Sequence, residues 1–273
     1  MKLRSLPILA ASLTACFLTG CYQVPVTGRH ALSIVDDKEV TKMSIAAFDD
    51  MKARNRISND KELNARLQRV GERLQRAVPM EDMPDADWEF VLFDNKDINA
   101  FAMAGGKVGV FVGLFRIVQN DDQLASVMAH EIGHVTAKHV HEQLSQQMAM
   151  NTGGLLGSVA LMGSGAGMLT SMGVMEAYGI GAEASGFAFD RKKEREADHI
   201  GLIYMARAGY DPHEAVAVLE KLEEEMGSGK PESAFGSTHP SNPERIRDLE
   251  AEMPQAMKAQ AEGQIKPVQV LVK

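Results

Sequence analysis

Apolar positions follow helical spacing over most of the chain and strand spacing in two short stretches. Between residues 59 and 79, Leu63, Leu67, Val70 and Leu74 recur at three- and four-residue intervals, the stripe of a helix packed on a core. A similar pattern covers residues 36–54. A third helix is predicted from Asp121 to about Met150, with Leu124, Val127, Met128, Ile132 and Val135 on one face and Asn120 or Asp121 as its cap. Further on, helices are predicted from about Asp190 to Ala208, stopped by Gly209, and from Asp211-Pro212, where a cap precedes a proline suited to the first turn. A last helix begins near Asn242-Pro243-Glu244 and runs to about Met253.

The strand signals lie between these helices. A Pro- and acid-rich break at residues 80–87 leads into Trp88-Glu89-Phe90-Val91-Leu92-Phe93, and Lys107 to Val112 alternates its valines on one face. Gly105-Gly106 predicts a tight turn or a close backbone approach. The second strand is either an internal strand or an edge that pairs with an extended peptide, in which case Val108 and Val110 would line the substrate. The pattern as a whole predicts an α+β fold, mostly helical, with a small sheet beside the third helix.

Both ends differ from this middle. Lys2 and Arg4 precede an apolar run from Leu6 to Leu18, too short to span a bilayer, and Leu18-Thr19-Gly20-Cys21 closes it as a secretory signal would. The cysteine after Gly20 resembles the lipobox of bacterial lipoproteins, which implies cleavage after residue 20 and a lipid on Cys21. Residues 21–35, with Pro25 and Thr27-Gly28, read as a tether, residues 36–253 as the domain and residues 254–273 as a tail whose Val268 to Val272 could form a strand. Residues 143–175 carry no charge and are rich in Gly and Met, and read as a mobile lid in preference to a membrane segment.

Composition removes several function classes. Of two cysteines, Cys16 leaves with the signal and Cys21 is acylated, so no thiol remains for a disulfide or metal cluster and the fold rests on its apolar core. The formal charge of -8 becomes about -10 without Lys2 and Arg4, and no basic patch offsets it, which excludes nucleic acid as a partner.

The candidate chemistry sits on the third helix, at His130-Glu131-Ile132-Gly133-His134. Positions four apart on a helix share one face about 6 Å apart along the axis, so both imidazoles can reach one ion. Glu131 is turned about 100° from His130 and suits a general base. A catalytic zinc takes three protein ligands and keeps one position open. Ala137 and Val140 stand where a metzincin needs its glycine and third histidine, so that alternative fails. His141 lies about 10 Å beyond His134 on a continuous helix, and His139 and His141 read as solvated. In Glu194-Arg195-Glu196-Ala197-Asp198, Glu194 and Asp198 share a face with small Ala197 and Gly201 nearby, while Glu196 points elsewhere. On the residues alone this is either a carboxylate ligand with a second carboxylate behind it or a charged, solvent-facing helix.

H-E-x-x-H followed about sixty residues later by Glu194-x-x-Ala197-Asp198 resembles the zinc peptidases that include the CAAX prenyl endopeptidases and the bacterial heat-shock membrane protease, and most of all their periplasmic lipoprotein branch. Asn99-Ala100-Phe101 with Gly105-Gly106, and Ser237-Thr238-His239-Pro240 with Arg245, are similar to further motifs of that family. The resemblance implies a gluzincin-type zincin domain in which His130, His134 and Glu194 hold one Zn2+ per chain. It implies that Glu131 is the catalytic base, that Asp198 orients a zinc ligand, and that His239 lies near the metal, either aiding the oxyanion or filling the open position. Asn99 would lie on the substrate side, and Arg245 would contact the site or its peptide. The implied activity is that of a zinc metalloendopeptidase acting on unfolded or misassembled envelope proteins in quality control. The alternative is a chaperone-like assembly or escort factor for outer-membrane proteins with proteolysis secondary or autoinhibited. The implied place is the envelope of a Gram-negative bacterium, lipid-anchored through Cys21 to the outer membrane and facing the periplasm, since Tyr22 rather than Asp follows the cysteine. Ala104, where relatives often carry Pro before the glycine pair, departs from the pattern.

Overall fold

Four helix starts are closed by the first acid or amide upstream of the apolar stripe. Asp36, Asp60, Asn120 and Asp190 each accept a hydrogen bond from a backbone N–H two or three residues on, which satisfies donors that have no partner within the helix. The structure is a computed structural model and describes residues 21–152, 175, 178, 180, 189–227, 234–239 and 243–264. Its helices are α1 Asp37–Arg54, α2 Lys61–Ala77, α3 Asp121–Thr136, α4 His139–Thr152, α5 Arg191–Arg207, α6 His213–Gly227, α7 Ala234–Thr238 and α8 Pro243–Gln264. The strands are β1 Cys21–Gln23, β2 His30–Leu32, β3 Glu89–Phe93, β4 Ala100–Met103 and β5 Lys107–Phe111. The fold is α+β, with the sheets small.

β3, β5 and β4 form one sheet in that order, β5 parallel to β3 and antiparallel to β4. Gly105 and Gly106, at φ 84° and 76°, make the turn between β4 and β5, a left-handed conformation that a side chain would strain. Because β5 is the central strand, its backbone is bonded on both sides and Val108 and Val110 are fully buried. They lie in the core of the sheet, which corrects the reading of this strand as an edge; the edge packed on α3 is β4. Phe48 of α1 packs edge-on against Phe93 and Phe101, joining this sheet to the helical layer.

Three stretches differ from the sequence expectation. The helix predicted from Asp121 to Met150 is broken after Thr136, where Lys138 adopts φ 56° and a new helix restarts at His139. With that break His139 and His141 turn inward and are buried rather than solvated. The stretch read as a tether is folded: β1 and β2 pair antiparallel, and Val24, Ala31 and Val35 join the core. α8 continues through Pro254 to Gln264, so residues 254–264 are helix and not tail. Burial of Ala256 and Ala259, and the close approach of Gly263 to Arg207 on α5, outweigh the backbone bond that proline removes. The signal of residues 1–20, most of the stretch read as a lid and the strand expected at Val268 to Val272 lie outside the described residues. Among those described, no helix is long and apolar enough to cross a membrane.

Candidate metal centre

α3 and α5 cross at backbone distance. A Cβ on Gly133 would stand 2.8 Å from the Ala197 carbonyl oxygen, and one on Gly201 would stand 2.8 Å from the His130 backbone nitrogen. Only glycine permits that approach from either side, and it brings Glu194 up to the two histidines. His134 Nε2 lies 3.3 Å from Glu194 Oε1, and His130 Nε2 lies 3.5 Å from Glu194 Oε2 and 3.1 Å from His134 Nε2. The loop after α7 adds His239, whose Nδ1 is 3.0 Å from Glu194 Oε1 and 3.3 Å from His130 Nε2. Donor atoms of these four buried residues all lie within 4.8 Å of one another.

This donor set fits a metal ion. His130 Nδ1 faces Asp198 Oδ1 at 2.9 Å, and a carboxylate can only accept there, so Nδ1 carries the hydrogen and Nε2 is left as a donor atom toward the cluster. Burial alone would lower the His130 pKa, yet Asp198 and Glu194 lift it to about 10; His134 is pushed well below its usual value by burial despite Glu194. Glu194 and Asp198 stay ionised: burial would raise both, but His239 and Arg245 hold Glu194 well down, and Arg245 and His130 lower Asp198. Buried carboxylates facing imidazole nitrogens thus draw positive charge to one point.

Glu131 is set apart from that set. Its Oε1 is buried, has no hydrogen-bond partner among the described residues and lies 3.6 Å from His239 Nε2. Burial raises its pKa against the lowering pull of His239 and His130, which favours a carboxylate that can take up a proton. Asp198 and Arg245 lie behind the ligands. Arg245 is buried and grips Asp198 with two bonds, of 2.6 and 2.7 Å, and Glu194 Oε2 at 2.9 Å. Its guanidinium is engaged inside the site, the first of the two alternatives for it, the site or its peptide.

Other sequence candidates lie elsewhere. Asn99 precedes β4, is buried, and its carbonyl accepts from the Phe111 N–H. The neighbouring Ile98 carbonyl accepts from Phe235 on α7. Cys21 opens β1 opposite Leu32. Sequence reasoning missed His139, whose Nδ1 is 2.9 Å from His134 Nδ1, and Glu196, which bonds His139 Nε2 at 3.0 Å. It also missed Phe189, packed 4.1 Å from the His134 ring, and Phe235, stacked 4.7 Å from the His239 ring. A histidine five residues after His134 gave no signal on a continuous helix; the break at Lys138 had to be known first.

Residues 61–253 match the family model described as peptidase family M48. The chain is 35% identical over 185 residues to a "Mitochondrial metalloendopeptidase OMA1" of Schizosaccharomyces pombe, covering 67% of this chain and 52% of that protein. It is 34% identical over 197 residues to a "Beta-barrel assembly-enhancing protease" of Escherichia coli, covering 70% of this chain and 39% of the relative. A protein of the same printed name from Yersinia pestis is 31% identical over 249 residues, covering 89% of this chain and 49% of its own length. The chain thus spans about half or less of the length of these curated relatives.

Proposed function

The chain belongs to peptidase family M48, and on that premise we propose that it is a zinc-dependent endopeptidase. The observation that carries this reading is the convergence of His130, His134 and Glu194 on one point with a buried Glu131 oxygen beside it that accepts no hydrogen bond among the described residues. Zinc held by those three residues would supply Lewis acidity toward a peptide carbonyl and toward water. Glu131 takes the water's proton and returns it to the leaving amine, a role its burial-raised pKa suits. Asp198, braced by Arg245, holds the His130 ring.

Envelope proteins that are unfolded or misassembled are the proposed substrates, by the likeness to relatives named as beta-barrel assembly-enhancing proteases. A lipid on Cys21, facing the periplasm from the outer membrane, is the proposed anchor. The position of His239 Nδ1 within the donor set favours a resting state in which this imidazole fills the fourth position, over the oxyanion role. That same feature favours the second reading, an assembly or escort factor whose proteolysis is restrained.

Glu131→Gln tests the first reading. It should keep about one zinc per chain and lose cleavage of an unfolded polypeptide by several orders of magnitude; full turnover would remove Glu131 from the mechanism. His239→Ala should raise basal cleavage with zinc content retained. A rate reduced by roughly 100-fold would restore the oxyanion role.

A further inference from the structure

The two histidines of α3 are oriented by different routes, and the second reaches the N-terminal hairpin. Glu196 Oε2 is ionised and can only accept, so His139 Nε2 carries the hydrogen of their 3.0 Å contact. His139 Nδ1 is then the acceptor. His134 Nδ1, 2.9 Å away, must donate to it, and His134 Nε2 is left facing the donor cluster. Glu196 is itself held from the hairpin: Thr27 Oγ1 donates to Oε1 at 2.6 Å and Arg29 Nε to Oε2 at 2.8 Å. The Arg29 guanidinium also bridges to Glu142 on α4 through contacts of 3.2 and 3.0 Å.

Two further features bind the hairpin to this route. Its tip holds Val26 at φ 65°, a left-handed conformation that a β-branched residue rarely adopts, and that turn is what presents Thr27 and Arg29 to Glu196. At the other end of the hairpin, Tyr22 donates to the Thr136 carbonyl at 2.8 Å and its ring lies 4.1 Å under the Lys138 ammonium. Those are the residues at the break that turns His139 back toward His134. The hairpin therefore holds both the carboxylate that orients His139 and the backbone that aims it.

We propose that the hairpin of β1 and β2 is a working part of the metal centre, with Arg29, Glu196 and His139 as positioning residues that set the tautomer and aim of His134. This rests on the metal reading above. Partners one shell behind a metal ligand typically change affinity by about 10–100-fold. The test is zinc affinity of the purified full chain, by competition against a chromogenic chelator, with the absorption spectrum of the cobalt(II)-substituted protein and the unfolding midpoint of the zinc-stripped protein recorded beside it.

Glu196→Ala and His139→Phe should weaken zinc binding by about 10–100-fold and alter the cobalt spectrum. Glu196→Gln, which keeps an acceptor oxygen, should recover part of the affinity. If Glu196→Ala does not fold, Arg29→Gln decides, since the Arg29 side chain is 37% exposed and the buried Glu196 keeps its bonds from His139 and Thr27. It should weaken binding several-fold. Zinc affinity within twofold of the parent and an unchanged cobalt spectrum, in whichever of these variants folds, would overturn the proposal. A parent chain that binds no zinc would sink the metal reading and this inference together, whereas equal binding by parent and variants would sink the inference alone.

Discussion

Two carboxylates on α5, two residues apart and therefore on different faces, end on the two histidines of α3 by unlike means. Asp198 touches His130 directly and is gripped by Arg245; Glu196 reaches His134 only through His139 and is gripped by Arg29. The direct branch is sealed, with the Arg245 side chain 2% exposed, while that of Arg29 is 37% exposed. Charges in the first branch have no water to fall back on. In the second the carboxylate is no more exposed than Asp198, but its cation reaches water, so the same chemical brace should be rigid in one case and yielding in the other.

The largest effect should come from breaking the sealed branch. Arg245→Ala leaves Asp198 and Glu194 buried without their cation and should cost about 3–5 kcal/mol, read by denaturant unfolding. A loss below about 1 kcal/mol would show that water reaches this branch too, and the contrast would fail.

Next is the helix crossing that both branches depend on. Gly201→Ala drives a methyl to 2.8 Å from the His130 backbone, which cannot yield as a side-chain tip can. It should cost about 1–3 kcal/mol and lower zinc content, because His130 and Glu194 are pushed apart. Unchanged stability with normal zinc content would show that the two helices can part without disturbing the donors.

The yielding branch should respond less. Burial would raise the Glu196 carboxyl, but His139, Arg29 and Thr27 hold it at about 2. Arg29→Ala should cost about 1 kcal/mol in unfolding, far less than Arg245→Ala. Equal losses from the two arginines would erase the difference between the branches.

The smallest effect lies outside both. Asp121, at the start of α3, is bonded by Arg69 and by Arg66 and its pKa is lowered, chiefly by the Arg69 hydrogen bond. A folded pKa below the unfolded value of about 3.9 gives stability that is complete above that value and is lost as pH falls through it. Asp121→Asn should therefore shift the thermal midpoint by no more than about 2–4 °C at neutral pH. The shift should shrink below pH 4. A larger shift, or one unchanged in acid, would assign Asp121 some role other than this ion pair.

Much of the scaffold was legible because it is written in local spacing. The stripe of Leu67, Val70 and Leu74 is buried in α2, Asn120 caps α3 where the apolar face begins, and the paired glycines turn between β4 and β5. His130 and His134 share a face because 3.6 residues per turn requires it. The break at Lys138 was not legible, since Thr136-Ala137-Lys138-His139 contains neither glycine nor proline. The strand order was hidden for another reason: alternation tells which face is buried but not which neighbour a strand pairs with, so β5 read equally as edge or centre.

The sequence by itself determined where most of the helices begin, the four-residue spacing of the two imidazoles, and the small residues Ala197 and Gly201 that let a second helix come close. Only the tertiary structure decided that β5 lies inside the sheet, that His239 stands among the donors, that α8 runs on through Pro254, and that the hairpin at residues 21–32 closes on Glu196. Period and capping are set by neighbours within one or two turns, whereas Thr27 and Glu196 lie 169 residues apart and meet only once the core between them has formed.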